Sequence, residues 1–332
     1  VHFIDYFWSR LRPAHLVLFP LSLAFWGVTS LRRWLYRIGW LKSDRLPVPV
    51  IIVGNITVGG TGKTPLVLWL AQRLTEAGYH PGIVTRGYGG SEDVQEVPPD
   101  ADPARAGDEP LLLARRGHCP VWAGRDRAAA GRALLAHHRE VDVVISDDGL
   151  QHYRLARDVE IGVVDAQQQF GNGLLLPAGP LRERKARLRQ VDAVVVNGGS
   201  VLHLPDAIGM RLRGEVLVNL RDPTVARTAR EFVGQTVHAV AGIGNPQRFF
   251  ATLVDLGLEF TAHPFPDHYA FRPEDLDFPG ADAILMTEKD AVKCAAFARP
   301  QLWFLPVEAE IDPTLESRIL AKLKAHHGRQ AA

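Results

Sequence analysis

Residues 48–65 read VPVIIVGNITVGGTGKTP. The apolar run 48–54 has the length and β-branched content of a strand buried on both faces. A loop containing Gly59, Gly60 and Gly62 follows, and residues 65–77 are predicted to be a helix, stopped by Gly78. Strand, glycine-rich loop, Lys-Thr and helix in that order match the phosphate-loop pattern G-x-x-x-x-G-K-[ST], except that Thr57 stands where its first glycine belongs. In such a loop the backbone N–H groups close around phosphate oxygens, helped by the positive end of the following helix. The candidate nucleotide-binding residues are therefore Thr57, Val58, Gly59, Gly60, Thr61, Gly62, Lys63 and Thr64. Lys63 would bridge β- and γ-phosphates, and Thr64 would hold Mg²⁺.

Outward from the loop, strands are predicted at 82–85, 121–123, 141–146, 161–165 and 193–197, with helices at 108–116 and 125–139. Strands joined by helical crossovers give an α/β fold with a doubly wound, mostly parallel sheet. After about residue 200 the alternation breaks. Residues 210–220, MRLRGEVLVNL, alternate in the manner of a hairpin and predict a hinge. A second, smaller α/β unit follows, with strands at 238–243, 283–286 and 302–307, a helix at 246–256, and a last helix over 313–326 that could pack back on the first unit. The expected organisation is an N-terminal helical segment (1–42), a phosphate-loop domain (43–205) and a smaller α/β domain (206–332). Residues 91–107, polar and proline-rich, predict a mobile loop.

A nucleotide–metal site also needs a carboxylate at a neighbouring strand end, and VVISDD (143–148) supplies Asp147 and Asp148. These parts leave a kinase, a regulatory ATPase and a GTPase open. A guanine-reading Asn-Lys-x-Asp is absent from the sequence, TEKD (287–290) being the nearest stretch. Partition ATPases carry a lysine just before Gly-Gly-x-Gly-Lys, and that place is Val58. A membrane-binding regulatory ATPase acting with a protein partner stays as the alternative. Gly242-Ile243-Gly244 resembles part of a dinucleotide fingerprint, but Gln247 replaces the third glycine, so a tight strand-to-helix turn is expected.

The whole chain is nearly neutral, at +1, which argues against a dedicated nucleic-acid binder. The charge is uneven, however. Residues 1–42 hold one acid, Asp5, against Arg10, Arg12, Arg32, Arg33, Arg37 and Lys42, together with Trp8, Trp26, Trp34 and Trp40. Between Arg12 and Arg32 no residue carries a full charge at neutral pH. Tryptophan and arginine flanking an apolar run suit a helix, or a broken helix pair, lying in a bilayer surface. The competing reading buries that helix against the domain or an oligomer partner. Two cysteines, Cys119 and Cys294, are too few for a disulfide framework, which points to a reducing compartment.

Further motifs carry a resemblance. GNITVGGTGKTP (54–65), TRGYGG (85–90), GDEP (107–110), AGRDR (123–127), SDDGLQHYRLARD (146–158), PAGPLRE (177–183), FPDHYAF (265–271) and TEKDAVK (287–293) occur in this order. Together they resemble the tetraacyldisaccharide 4′-kinase (lipid A 4′-kinase) family over residues 50–295. The resemblance implies an ATP- and Mg²⁺-dependent kinase at the cytoplasmic face of a Gram-negative inner membrane, peripheral or monotopic. It would phosphorylate the 4′-hydroxyl of a tetraacyldisaccharide 1-phosphate, with no obligate protein partner evident. It also implies a linking two-stranded ribbon and a catalytic pair of Asp108 and His268, one from each domain, in either order of roles. Arg182 and Glu183 would lie near the phosphates or metal, and Gln151 near the metal shell or nucleotide. Arg86, Tyr88, Arg125 and Arg127 become candidates for the lipid headgroup. Without the resemblance, Asp108 reads as a helix N-cap and His268 as an ordinary surface histidine.

Overall fold

The computed structural model describes residues 7–8, 10–11, 13–87, 93–199, 201, 204 and 206–330. The first part of the chain forms α1 (Ala14–Arg37), β1 (Val50–Gly54), α2 (Lys63–Glu76), β2 (Pro81–Thr85), β3 (Gln95–Glu96), α3 (Asp108–Arg116), β4 (Val121–Ala123), α4 (Arg127–His137), β5 (Val143–Ser146), β6 (Val159–Asp165), β7 (Ala193–Asn197) and β8 (Ile208–Arg213). The second part forms β9 (Val216–Asn219), β10 (Ala226–Thr228), β11 (Val237–Ala241), α5 (Pro246–Asp255), β12 (Thr261–Pro264), β13 (Ala283–Thr287), α6 (Glu288–Cys294) and β14 (Leu302–Leu305), before β15 (Glu308–Ile311) and α7 (Thr314–Gln330).

Among the described residues the larger sheet has the order β15-β8-β7-β6-β1-β5-β2-β4-β3, parallel except at its two edge pairs. The decisive strand, β1, lies between β5 and β6. Its side chains alternate between two cores: Ile51 and Val53 face α2, while Val50 and Ile52 face α4. That period of two, with both faces apolar, is why the sequence reads as an unbroken hydrophobic run. The C-terminal ends of β1, β2, β4, β5, β6 and β7 all point to one edge. That edge gathers Lys63, Arg86, Arg125, Asp147, Asp165 and Asn197 at the switch point of strand order, where open α/β sheets bind ligands.

The smaller sheet runs β10-β9-β14-β13-β11-β12. Phe249, Phe250 and Leu253 of α5 cover one face, and Phe271, Ala291 and Cys294 cover the other. The stretch 210–220 is not a hairpin. β8 pairs with β7 in the larger sheet, β9 pairs with β10 and β14 in the smaller, and Gly214 lies at the crossing. Strand membership therefore changes after Arg213 rather than near residue 205. The chain crosses back at 306–307, where β15 pairs antiparallel with β8. This β8–β15 pair is the two-stranded link between the sheets. Leu315, Ile319 and Leu323 of α7 complete the core under α2.

One more expectation is corrected. Residues 93–107 are not one irregular loop, because they contain β3 and a helical turn at Pro103–Ala106. Within the N-terminal segment Ala14–Arg37 is a single helix of 24 residues that runs through Pro20, and Phe7 and Trp8 are helical ahead of Pro13. Pro20 has no N–H, so one intrahelical bond, that to Leu16 O, is missing.

Candidate active site

The phosphate loop is held from two sides. Gly62, before α2, has φ of 92°, and a Cβ there would lie 2.5 Å from Asn197 Nδ2. Only glycine tolerates both conditions. Asn197 itself, at the end of β7, donates to Thr61 O at 3.2 Å. From the smaller domain, the turn after β11 rests on the loop, so that a Cβ on Gly244 would be 3.0 Å from Gly60 N.

Asp147 and Asp148 follow β5 directly. Asp148 takes a left-handed backbone, φ 46°, costing about 1–3 kcal/mol. Its carboxylate receives Arg182 Nη1 at 2.9 and 3.1 Å and lies 3.6 Å from Lys63 Nζ. Burial alone would raise its pKa, but Lys63 and Arg182 outweigh burial and hold it well below the usual carboxylate range. Asp147 is the opposite case. Burial first, then the charge of Glu109, drives its carboxyl up to about 7, against the pull of Lys63. Its Oδ1 is buried and has no hydrogen-bond partner among the described residues. An unpartnered, buried carboxylate oxygen so close to Lys63 fits a ligand for Mg²⁺.

Glu183 accepts from Gln151 Nε2 at 2.8 Å through Oε1 and from the Tyr153 hydroxyl at 2.7 Å through Oε2. Each Glu183 oxygen thus has one donor and keeps a second lone pair for a metal. Gln151 also donates to Asn55 O at 3.0 Å, which ties Glu183 to the strand end beside the phosphate loop.

On the other flank, α3 starts with Asp108. Gly107, not Asp108, is the N-cap, which leaves the Asp108 side chain available for another job. Its Oδ2 lies 3.1 Å from His268 Nδ1, while Oδ1 accepts from Glu109 N at 2.8 Å. His268 is left-handed at φ 57°, a second strained residue at this edge. Burial would raise the Asp108 pKa, but the His268 hydrogen bond and the charge of Lys289 override it and leave it lowered. The same hydrogen bond, opposed by burial and Lys289, raises the His268 pKa. An ionised Asp108 can only accept, so Nδ1 of His268 must carry the proton between them.

A cleft of about 770 Å³ opens from Asp148 towards α1. Arg86, Arg125, Arg127, Gln151 and Arg182 line it, with Trp26 and Arg33 from α1 opposite. Arg127 is almost fully buried and donates to Asp148 O at 2.8 Å, so one arm of it supports the left-handed Asp148. Tyr88 lies outside the described residues.

The family model for tetraacyldisaccharide-1-P 4′-kinase matches residues 14–324. The chain belongs to the tetraacyldisaccharide-1-P 4′-kinase family. It is 54% identical over 312 residues to the tetraacyldisaccharide 4′-kinase of Methylobacillus flagellatus, covering 93% of this chain and 92% of that one. It is 53% identical over 332 residues to that of an Azoarcus species, covering 98% and 96%. Among solved structures, an "apo" form of LpxK from Aquifex aeolicus in complex with ATP superposes with a TM-score of 0.76 at 30% identity, over 93% of this chain and 99% of that one. The α/β fold and the kinase class expected from the sequence both stand.

Within this 4′-kinase site, the sequence reading missed four residues. Asn197, Glu109 and Lys289 went without a role, although GDEP and TEKDAVK had been singled out. His152, in the SDDGLQH stretch, also lines the cleft; burial, then the charge of Arg127, pulls its pKa down to about 4, leaving it neutral. No spacing rule marks these positions, because their partners come from other strands.

Proposed function

We propose that the enzyme transfers the γ-phosphate of ATP to the 4′-hydroxyl of a tetraacyldisaccharide 1-phosphate, giving lipid IVA, at the cytoplasmic face of the bacterial inner membrane. One observation carries this reading. Asp108 and His268, 160 residues apart and rooted in different sheets, meet at 3.1 Å. Asp267, beside His268, lies 3.2 Å from the Cβ position of Gly244, the residue that rests on Gly60. A proton-accepting pair thus stands next to a phosphate loop.

Phosphoryl transfer asks for positioning and charge neutralisation more than covalent help. Gly59, Gly60 and Gly62 give the phosphates backbone donors, and Lys63 gives a cation. Thr64, Asp147 and Asp148 would hold Mg²⁺, which when bound draws charge from the phosphate oxygens. Arg182 already sits on Asp148 and offsets negative charge that builds up during transfer. The sugar hydroxyl must lose a proton. His268 Nε2 accepts it, with Asp108 fixing the tautomer and stabilising the imidazolium. Arg86, Arg125 and Arg127 make the cleft attractive to the acceptor's 1-phosphate.

The acceptor's acyl chains keep it in the bilayer, so the cleft must reach the lipid surface. α1 has the length and composition to cross a membrane. Its contacts favour lying on one instead. Ser22 Oγ donates to Leu175 O at 2.9 Å and accepts from Ala178 N at 3.1 Å, while Arg33 binds Gln190. These anchors are about 16 Å apart along the helix. A spanning helix would have to surrender them to lipid. Val17, Leu21 and Val28 stay exposed, at 78%, 57% and 68%, as an apolar face for the bilayer.

The test is transfer of label from γ-labelled ATP, with Mg²⁺, to detergent-solubilised disaccharide 1-phosphate, using Lys63→Ala as control. Labelled lipid that disappears in the control is the expected result. ATP hydrolysis unaffected by lipid, with no labelled lipid, would overturn the reading in favour of a membrane-associated ATPase.

A further inference from the structure

The TEKDAVK stretch forms the first residues of α6 and packs across the boundary onto α3. Two contacts besides those of Lys289 hold these helices together. Leu111 and Leu112 close on Val292, and Arg116 Nη1 donates to both oxygens of Glu288 at 2.8 and 2.9 Å. Neither contact involves Lys289. Its Nζ lies 2.9 Å from Glu109 Oε1, 3.7 Å from Asp108 Oδ2 and 3.9 Å from Asp267 Oδ1. The side chain is only 17% exposed. One ammonium therefore serves three carboxylates drawn from both domains.

We propose that Lys289 is a positioning residue for phosphoryl transfer: it reaches from the smaller domain to keep the Asp108 carboxylate ionised and aimed at His268 once the domains meet. This rests on the assignment of the Asp108–His268 pair to proton transfer.

The charges around the pair support the role. Asp108 is 7% exposed, so burial alone favours its neutral acid. A neutral Asp108 would no longer hold the Nδ1 proton of His268 in the same way. From α3 the pair faces Asp108 itself and Glu109; from the 267–268 turn, Asp267 and His268; and from α6, Lys289, Lys293 and Asp290. Lys293 also approaches Asp108, at 4.0 Å, but it is committed to Asp290 at 2.6 Å and to Gly242 O at 3.1 Å. Lys289 has no such acid on its own helix, and its partners belong to the proton-transfer edge. The arriving polyanionic nucleotide raises the proton affinity of every nearby base. An ammonium already in place opposes that rise.

The experiment compares wild type, Lys289→Met and Lys289→Arg in the lipid-kinase assay across pH, with ATP affinity and thermal unfolding measured alongside. Removing the ammonium raises the proton affinity of Asp108 and of His268 alike. The acid limb of kcat therefore moves to higher pH by about one unit, whichever group takes the proton. At neutral pH kcat should fall by up to roughly tenfold in Lys289→Met, with KM for ATP within about twofold. Lys289→Arg should restore most of the rate and the position of the limb. An unshifted acid limb would overturn the proposal, and so would a loss of rate that merely tracks lower thermal stability. If wild type itself labels no lipid, the kinase reading fails instead, and the two failures are distinguishable.

Discussion

Substituting Gly244 by alanine tests whether the smaller domain must seat on the phosphate loop for catalysis. The new Cβ would lie 3.0 Å from Gly60 N and 3.2 Å from Asp267 Oδ2. Comfortable contact for such atoms begins near ~3.5 Å, so the turn would have to withdraw by about 0.5 Å. Asp267 Oδ2 is a side-chain tip that can rotate away, but Gly60 N is backbone of the loop and cannot yield, so the turn itself must move. A withdrawal of that size would stretch the 3.1 Å Asp108–His268 contact to about 3.6 Å, outside hydrogen-bonding range. Overpacking of this kind costs about 1–3 kcal/mol, which converts to a loss of roughly 5- to 150-fold in rate. The assay is steady-state label transfer to solubilised lipid, with binding of a fluorescent ATP analogue measured separately. We expect kcat to fall while nucleotide affinity holds, with the unfolding midpoint lowered by no more than that cost, because Gly244 lies in a turn between the two sheets rather than inside either core. Unchanged kcat would refute the reasoning. A loss of nucleotide affinity equal to the loss of rate would refute it as well, by placing the turn in the nucleotide's own pocket.

Arg248→Met should lower stability by about 1–3 kcal/mol, because Asp165, 1% exposed, loses the cation that reaches it from α5 but keeps the N–H donors of Gln167 and Gln168; urea unfolding would show a lower midpoint at the same slope. The rate should also respond to pH with a definite sign. The Asp108 hydrogen bond raises the His268 pKa above its ordinary 6.5, so His268 Nε2 becomes available only as pH rises through that higher value, and kcat falls below it. An acid limb at pH 4 or lower would instead give the proton to Asp108. Asp108→Ala should abolish transfer and leave ATP binding nearly intact, as read by the same fluorescent analogue; loss of ATP binding would contradict its role. Val17→Glu with Leu21→Glu should weaken co-sedimentation with anionic vesicles at least roughly tenfold, since each apolar side chain contributes about 1.5–3 kcal/mol when buried, and should leave ATP affinity in detergent unchanged.

The phosphate loop and its sheet were legible in the sequence because their physics is local. A buried parallel strand needs an apolar run, a phosphate cradle needs glycines, and helix α2 needs its lysine and threonine at the first turn; all fall within residues 50–76. The paired aspartates were legible for a similar reason, as two acids at the end of a strand. The N-terminal helix announced itself by composition.

Other features depended on which strands became neighbours, and no local pattern encodes that. Residues 210–220 alternate like a hairpin, yet β8 and β9 lie in different sheets, because Gly214 sits where the chain leaves one sheet for the other and β15 claims the edge of β8. Asp108 follows the rules for a helix cap until the fold makes Gly107 the cap and brings His268 to its carboxylate. Lys289 is one of seven lysines, with no local mark of a role until three carboxylates surround it. The sequence by itself determined the phosphate chemistry, since backbone geometry over some fifteen residues is enough to specify it. The tertiary structure decided the pairing on which the proposed proton chemistry rests, because ionisation depends on burial and on charges that only the packed domains bring within a few ångströms.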